Sequence, residues 1–118
     1  MTLKECYAAL GGNYEDVLGR LRAERLVQKF LLKFLDDKSL ALLEESLEKG
    51  DYETAFRASH TLKGVCQNLG FSELAASSEA LTEAMRGGKA PDMALAEAVK
   101  ADYQKVIGAV SAYQAELG

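Results

Sequence analysis

His60 is the only histidine of the 118-residue chain, and its neighbours decide what chemistry it could do. In the run Ser59-His60-Thr61-Leu62-Lys63-Gly64-Val65-Cys66-Gln67-Asn68-Leu69-Gly70, the residues His60, Lys63, Gly64 and Gln67 recur at i, i+3, i+4 and i+7. At about 100° per residue they line one face of a helix. Ala55, Ala58, Leu62, Val65, Cys66 and Leu69 cluster on the opposite face. The pattern predicts an amphipathic helix with its apolar stripe toward a core and an imidazole held at the surface. That outward face suits phosphate chemistry. Neutral imidazole is a nucleophile at physiological pH, and an ammonium one turn away offsets the charge of a phosphoryl group placed on it. Gln67 can hydrogen-bond the imidazole or phosphate oxygens. Gly64 leaves room for another protein's backbone or a bulky substituent, although glycine costs roughly 1 kcal/mol of helix stability relative to alanine.

Taken singly, these residues are ordinary. A lone helical histidine is usually a surface or capping residue, and Lys63 alone would be a solvated charge. The joint spacing is what points to phosphotransfer. Phe56 lies one turn before His60 and about 40° away around the axis. It is either a flank of the core covered by a neighbouring helix or the apolar rim of a docking surface. Arg57 and Asn68 flank the other side as solvated residues with at most a share in docking.

The pattern His60-Thr61-Leu62-Lys63-Gly64, then four residues, then Leu69-Gly70, with Gly50-Asp51 ahead of the helix, resembles the signature of histidine-containing phosphotransfer (HPt) domains. The resemblance extends from about Tyr7 to the last helix, with the specific motif residues confined to the central one. It implies a four-helix bundle that carries a phosphoryl group between receiver-domain aspartates. By the same resemblance His60 is the phosphorylated residue, through Nε2, Lys63 the cation near the phosphoryl group, Gly64 the clearance position and Gln67 a polar neighbour. Receiver domains are the implied partners, with a hybrid sensor histidine kinase as a further one. A receiver would bring its own carboxylates and Mg²⁺, so no intrinsic cofactor is expected. Two departures are mild: Ser59 stands where alanine is common, and Val65-Cys66 replaces a smaller pair on the buried side, where a modest volume change can be absorbed.

The elements that must position this face follow from composition and local signals. A chain of 118 residues is enough for one domain with a single core, taken as 1–118. Abundant Ala, Leu, Glu and Lys, with one proline and no tryptophan, favour an all-α fold. A net charge of −4 gives no basic surface for nucleic acid. No apolar run approaches the roughly 20 residues that span a bilayer, and the N-terminus lacks a signal-peptide layout, so the cytoplasm is the expected location. Cys6 and Cys66 have no metal-ligand spacing and are expected as buried thiols. No ATP-binding motif is present, so a carrier rather than an autokinase is expected, and a monomer. A free-standing relay and a domain of a larger hybrid kinase are both compatible with the sequence.

Thr2-Leu3-Lys4-Glu5 has the form of a capping box for a short helix to Leu10, stopped by Gly11-Gly12. Asn13 caps a second short helix through Tyr14, Val17, Leu18 and Leu21. Residues 1–21 are thus either a lid across one end of the bundle or a simple extension. The bundle proper occupies 23–118. From Ala23 to Lys49 the stripe Val27, Phe30, Leu31, Phe34 is out of phase with Leu40, Leu43, Leu47, which predicts a break near Asp36-Asp37-Lys38. Gly50 ends that segment, Asp51 caps the helix of His60, and Gly70 stops it. Ser72 is expected to cap the next helix, which runs through Leu74, Ala75, Ser78, Leu81 and Met85 to Gly87-Gly88. Pro91 is expected in the first turn of a last helix carrying Leu95, Val99, Tyr103 (or Asp102), Val106, Val110 and Tyr113. Short connections predict antiparallel neighbours, hence an up-down-up-down bundle with short extra N-terminal helices. Two rivals differ in class. A helical adaptor would use its acidic, leucine-rich surface and leave His60 without chemistry. A small metal or general-base enzyme is disfavoured because no carboxylate lies one turn from His60.

Overall fold

Locally strong capping signals set most of the helix boundaries. The computed structural model describes residues 1–117, and among them there is no β-strand. Helix α1 spans Leu3–Leu10, α2 Tyr14–Leu21, α3 Glu24–Lys33, α4 Ser39–Glu48, α5 Tyr52–Leu69, α6 Ser72–Ala84 and α7 Met93–Leu117. The capping box forms as expected: the Glu5 amide donates to Thr2 Oγ1 at 3.0 Å, and the Thr2 amide to Glu5 Oε1 at 2.8 Å. Asn13 Oδ1 accepts from the Asp16 amide at 3.0 Å. No helix among the described residues is long and apolar enough to cross a membrane.

The phase shift after Phe34 is a true break. A 3-10 turn, Phe34–Asp36, separates α3 from α4, and the Asp37 carboxylate anchors the restart. Asp37 Oδ2 accepts from the Ser39 amide (3.0 Å), the Ser39 hydroxyl (2.6 Å) and the Tyr103 hydroxyl of α7 (2.8 Å). Gly50, at φ 70°, closes α4 with the Asp51 amide bonded to the Ser46 carbonyl at 2.9 Å, as a left-handed glycine allows.

Helices α4, α5, α6 and α7 pack each beside the next, and α1 lies against α7. Leu31, Leu43, Leu62, Leu74, Leu81 and Val106 are fully buried among them. Truncating one such leucine to alanine costs about 2–5 kcal/mol. An aromatic cluster closes one end: Phe71 meets Phe34 edge-on at 5.1 Å between ring centres and Tyr7 at 5.9 Å, while Phe34 meets Tyr103 at 5.5 Å. The N-terminal helices belong to this end rather than trailing from it. Leu3, Cys6, Tyr7, Leu10 and Val17 are buried, Tyr7 donates its hydroxyl to the Leu69 carbonyl at 2.7 Å, and the Asn13 amide bonds the Gly70 carbonyl at 2.8 Å. Cys6 and Cys66 are buried free thiols.

Three expected boundaries are corrected. Ser72 is not the cap of α6: Phe71 holds that position without a side-chain cap bond, because its ring is committed to the core and Ser72 is already helical. Helix α6 ends at Ala84 rather than at the glycine pair, the chain turning through Met85–Gly88. Pro91 precedes α7, whose first turn is capped by Asp92, its Oδ1 accepting from the Ala94 amide at 2.9 Å.

Candidate functional site

Helix α5 holds its outward face between two fixed ends. At the start, Asp51 accepts from the Thr54 amide at 3.1 Å and the Thr54 hydroxyl at 2.7 Å. At the finish, Gly70 adopts φ 73° and the Phe71 amide bonds the Cys66 carbonyl at 2.9 Å. Ala55, Ala58, Leu62, Cys66 and Leu69 are buried, so the imidazole of His60 points to solvent. Val65 departs from the expected stripe. It is half-buried against the core and lines an open groove of about 500 Å³ with Leu21 of α2, Phe30 of α3 and Phe34.

His60 and Gln67 are exposed, with Lys63 and Gly64 half-buried between them on the same face. A Cβ added at Gly64 would meet nothing within 4 Å. The missing side chain therefore serves nothing inside the fold. Phe56 is half-buried against the core, as its core-flank reading expects, and its ring lies parallel to the imidazole with 6.0 Å between centres and 7° between planes. Arg57 is exposed and tied only to its own helix, through Thr54 Oγ1 at 3.4 Å and Glu53 at 4.0 Å. Asn68 is turned toward the groove, and its carbonyl, with that of Gln67, accepts from the Arg20 guanidinium. Arg20 thus satisfies carbonyls that the helix end leaves free.

Two residues of α6 and the turn after it complete the neighbourhood, and the sequence pattern did not single them out. The Arg86 guanidinium carbon lies 5.2 Å from the centre of the Phe56 ring. Arg86 also grips Glu83 through two 2.8 Å hydrogen bonds. Arg86 holds the Glu83 carboxyl below the usual carboxylate range, with smaller contributions from Lys63 and His60 nearby. The signal available was the α5–α6 turn: Phe56 and Arg86 stand at comparable distances on either side of Gly70-Phe71, so an antiparallel pair brings them together.

The site is thus an exposed imidazole on a rigid helix, with an ammonium and a guanidinium on one flank and an apolar groove on the other. A family model for the Hpt domain matches residues 25–109. The chain belongs to the Hpt domain family. No curated protein and no solved structure matches it. Hpt domains act in histidine phosphotransfer within phosphorelay signalling, as phosphocarriers rather than kinases. In this Hpt domain the only histidine lies within the matched span, on the outward face of α5. Among the described residues no group of three or more His, Cys, Asp or Glu side chains could hold a metal ion.

Proposed function

We propose that this Hpt domain is the histidine phosphocarrier of a multistep phosphorelay, accepting a phosphoryl group on His60 from a receiver-domain aspartate and passing it to another. The observation that supports it most is the exposed imidazole with Lys63 on its own face and open space over Gly64. Nε2 attacks the aspartyl phosphate in line. The N–P bond forms as the O–P bond breaks, the aspartate carboxylate leaves with the electron pair, and the imidazole keeps its proton on the other nitrogen. Such a transfer depends on positioning and charge neutralisation more than on covalent work by the carrier.

Lys63 offsets the arriving charge, Gln67 offers an amide to a phosphoryl oxygen, and Gly64 lets the receiver's backbone approach. Phe56, Arg57 and Asn68 border the contact. The receiver supplies Mg²⁺ and its own carboxylates. The chain works as a monomeric, cytoplasmic carrier of one domain, 1–118, downstream of a hybrid sensor kinase or a receiver. The test is incubation with a panel of acetyl-phosphate-charged receivers and Mg²⁺, with His60→Gln as control. Acid-labile, alkali-stable label on the wild type alone is the expected result. Failure across a broad panel of demonstrably phosphorylated receivers would leave the adaptor reading instead.

A further inference from the structure

Four helices can close a ring through four seams, and here the fourth is open. Helices α4 and α7 are joined at one end, where the Tyr103 hydroxyl donates to the Asp37 carbonyl at 3.1 Å and to its carboxylate at 2.8 Å. Past that junction the two backbones scarcely approach each other. Between them lies a groove of about 220 Å³. Leu40, Leu43 and Leu47 of α4 recur along it at i, i+3 and i+7, and Met93 and Ala96 of α7 form the other wall. Only Leu43 is fully buried; Leu40, Leu47 and Ala96 are half-buried, and Met93 is 57% exposed. The rims are acidic. Glu44 and Glu48 stand on the α4 side and Glu97 on the α7 side. Lys100, which also lines the groove, is taken up by Glu44 at 3.5 Å. Glu48 and Glu97 are exposed and, among the described residues, have no ion-pair partner. Two unpaired carboxylates thus flank an apolar floor from opposite sides.

We propose that the α4–α7 groove docks a basic amphipathic helix of another protein, with apolar side chains on Leu40, Leu47, Met93 and Ala96 and Lys or Arg on either flank against Glu48 and Glu97. A helix laid along two others packs its ridges into their grooves, and it presents apolar anchors at i, i+3 or i+4 and i+7. From Leu40 to Glu48 the floor rises about 12 Å, room for about two turns of such a partner. A second copy of this chain fits worse. A two-fold contact sets a patch against itself, which would bring Glu48 and Glu97 of one copy beside the same acids of the other in a chain of net charge −4. None of the lining residues belongs to α5 or α6, the two helices that frame His60. A partner held here therefore tethers the domain and leaves the imidazole accessible, so the proposal stands whether or not His60 carries a phosphoryl group.

The probe is a synthetic peptide of about 15 residues, long enough for partial helicity, with leucines at i, i+3 and i+7 and lysines on both flanks. It is titrated into the isotope-labelled full chain at low salt, beside a scrambled peptide of the same composition and one with glutamates in place of the lysines. Amide shifts are expected to centre on Leu40, Leu47, Met93 and Ala96 and to spare Phe56, His60 and Lys63. The scrambled and acidic peptides should bind about 10-fold more weakly or worse. Glu48→Gln combined with Glu97→Gln should weaken the amphipathic peptide by about 3- to 10-fold, the scale of two exposed ion pairs, and Met93→Ser by about 5-fold. All three side chains are exposed, so the variants keep the fold. No saturable shift in the groove, equal binding of the scrambled peptide, shifts centred on α5 or on the groove of Phe30 and Val65, or unchanged affinity in both variants each overturns the proposal. Self-association of the peptide-free chain that Met93→Ser abolishes in sedimentation also overturns it, because the occupant is then a second copy.

Discussion

Gly64 and Gly70 lie six positions apart in one run of sequence and meet opposite surroundings. Around Gly64 an added Cβ would find open space. At Gly70 it would lie 2.9 Å from the Asn13 carbonyl oxygen and 3.2 Å from the Val17 Cβ, on a backbone at φ 73° that side chains rarely adopt. The end of α5 is built inward, gripped by Tyr7, Asn13 and Arg20 from the N-terminal helices. Its middle is built outward and leaves His60 facing solvent. Two glycines of one motif therefore differ in what surrounds them: Gly70 is tied into the fold, and Gly64 faces open space. Openness alone does not mark a functional glycine, since Gly19 and Gly108 are helical and equally open. What sets Gly64 apart is the histidine one turn before it.

The contrast can be broken by substitution. Gly70→Ala is expected to cost about 2–4 kcal/mol in urea unfolding, from left-handed strain together with displacement of the N-terminal helices. A loss below about 0.5 kcal/mol, within the range of ordinary surface substitutions, would mean the end of α5 is not gripped as described. Tyr7→Phe removes the hydroxyl bonded to the Leu69 carbonyl at 2.7 Å. It should cost about 1–3 kcal/mol, the penalty for a buried acceptor left unpaired.

Gly64→Ala and Gly108→Ala should each stabilise the chain, by about 0.5–1 kcal/mol. Of the two, Gly64→Ala alone is expected to slow phosphoryl exchange with a receiver. Equal slowing by both, or by neither, removes the distinction between the two open glycines. The smallest effect concerns the inward half at alkaline pH. Burial pushes the Cys6 thiol up from 9.0 to about 11, so between those values it ionises in the unfolded chain but not in the folded one. Its contribution to stability is present below pH 9 and lost as pH rises toward 11. Unfolding midpoints should fall over that window, less steeply in Cys6→Ala; identical slopes would show that this thiol is not responsible.

The boundaries of α5, its outward face and the break after Phe34 were legible in the sequence because each is a local matter of spacing, caps and phase. Ser72 and Pro91 misled for the same reason: each carries a strong local preference, but Phe71 was claimed by the aromatic cluster and Asp92 supplied the better cap. Val65 has core phase on its own helix, yet it is only half-buried and edges the groove, because burial depends on how far other helices cover it. Glu83 and Arg86 were invisible from α5 alone. Their place beside His60 is set by how α6 lies against it, which no periodicity within a single helix encodes.

Ser59, next to His60, is buried between α5 and α6, its hydroxyl 3.0 Å from the Ser78 carbonyl oxygen and 2.7 Å from the Thr82 hydroxyl. Apolar contacts resist separation of two helices but are tolerant of rotation; directional bonds are not. With side chains reaching about 5–6 Å from a helix axis, a 10° roll of α5 would sweep the imidazole by about 1 Å, an error of the size that costs about 100-fold in a transfer reaction. The serine beside the histidine therefore acts as an angular stop, setting the direction of the imidazole that the proposed relay would use as its nucleophile.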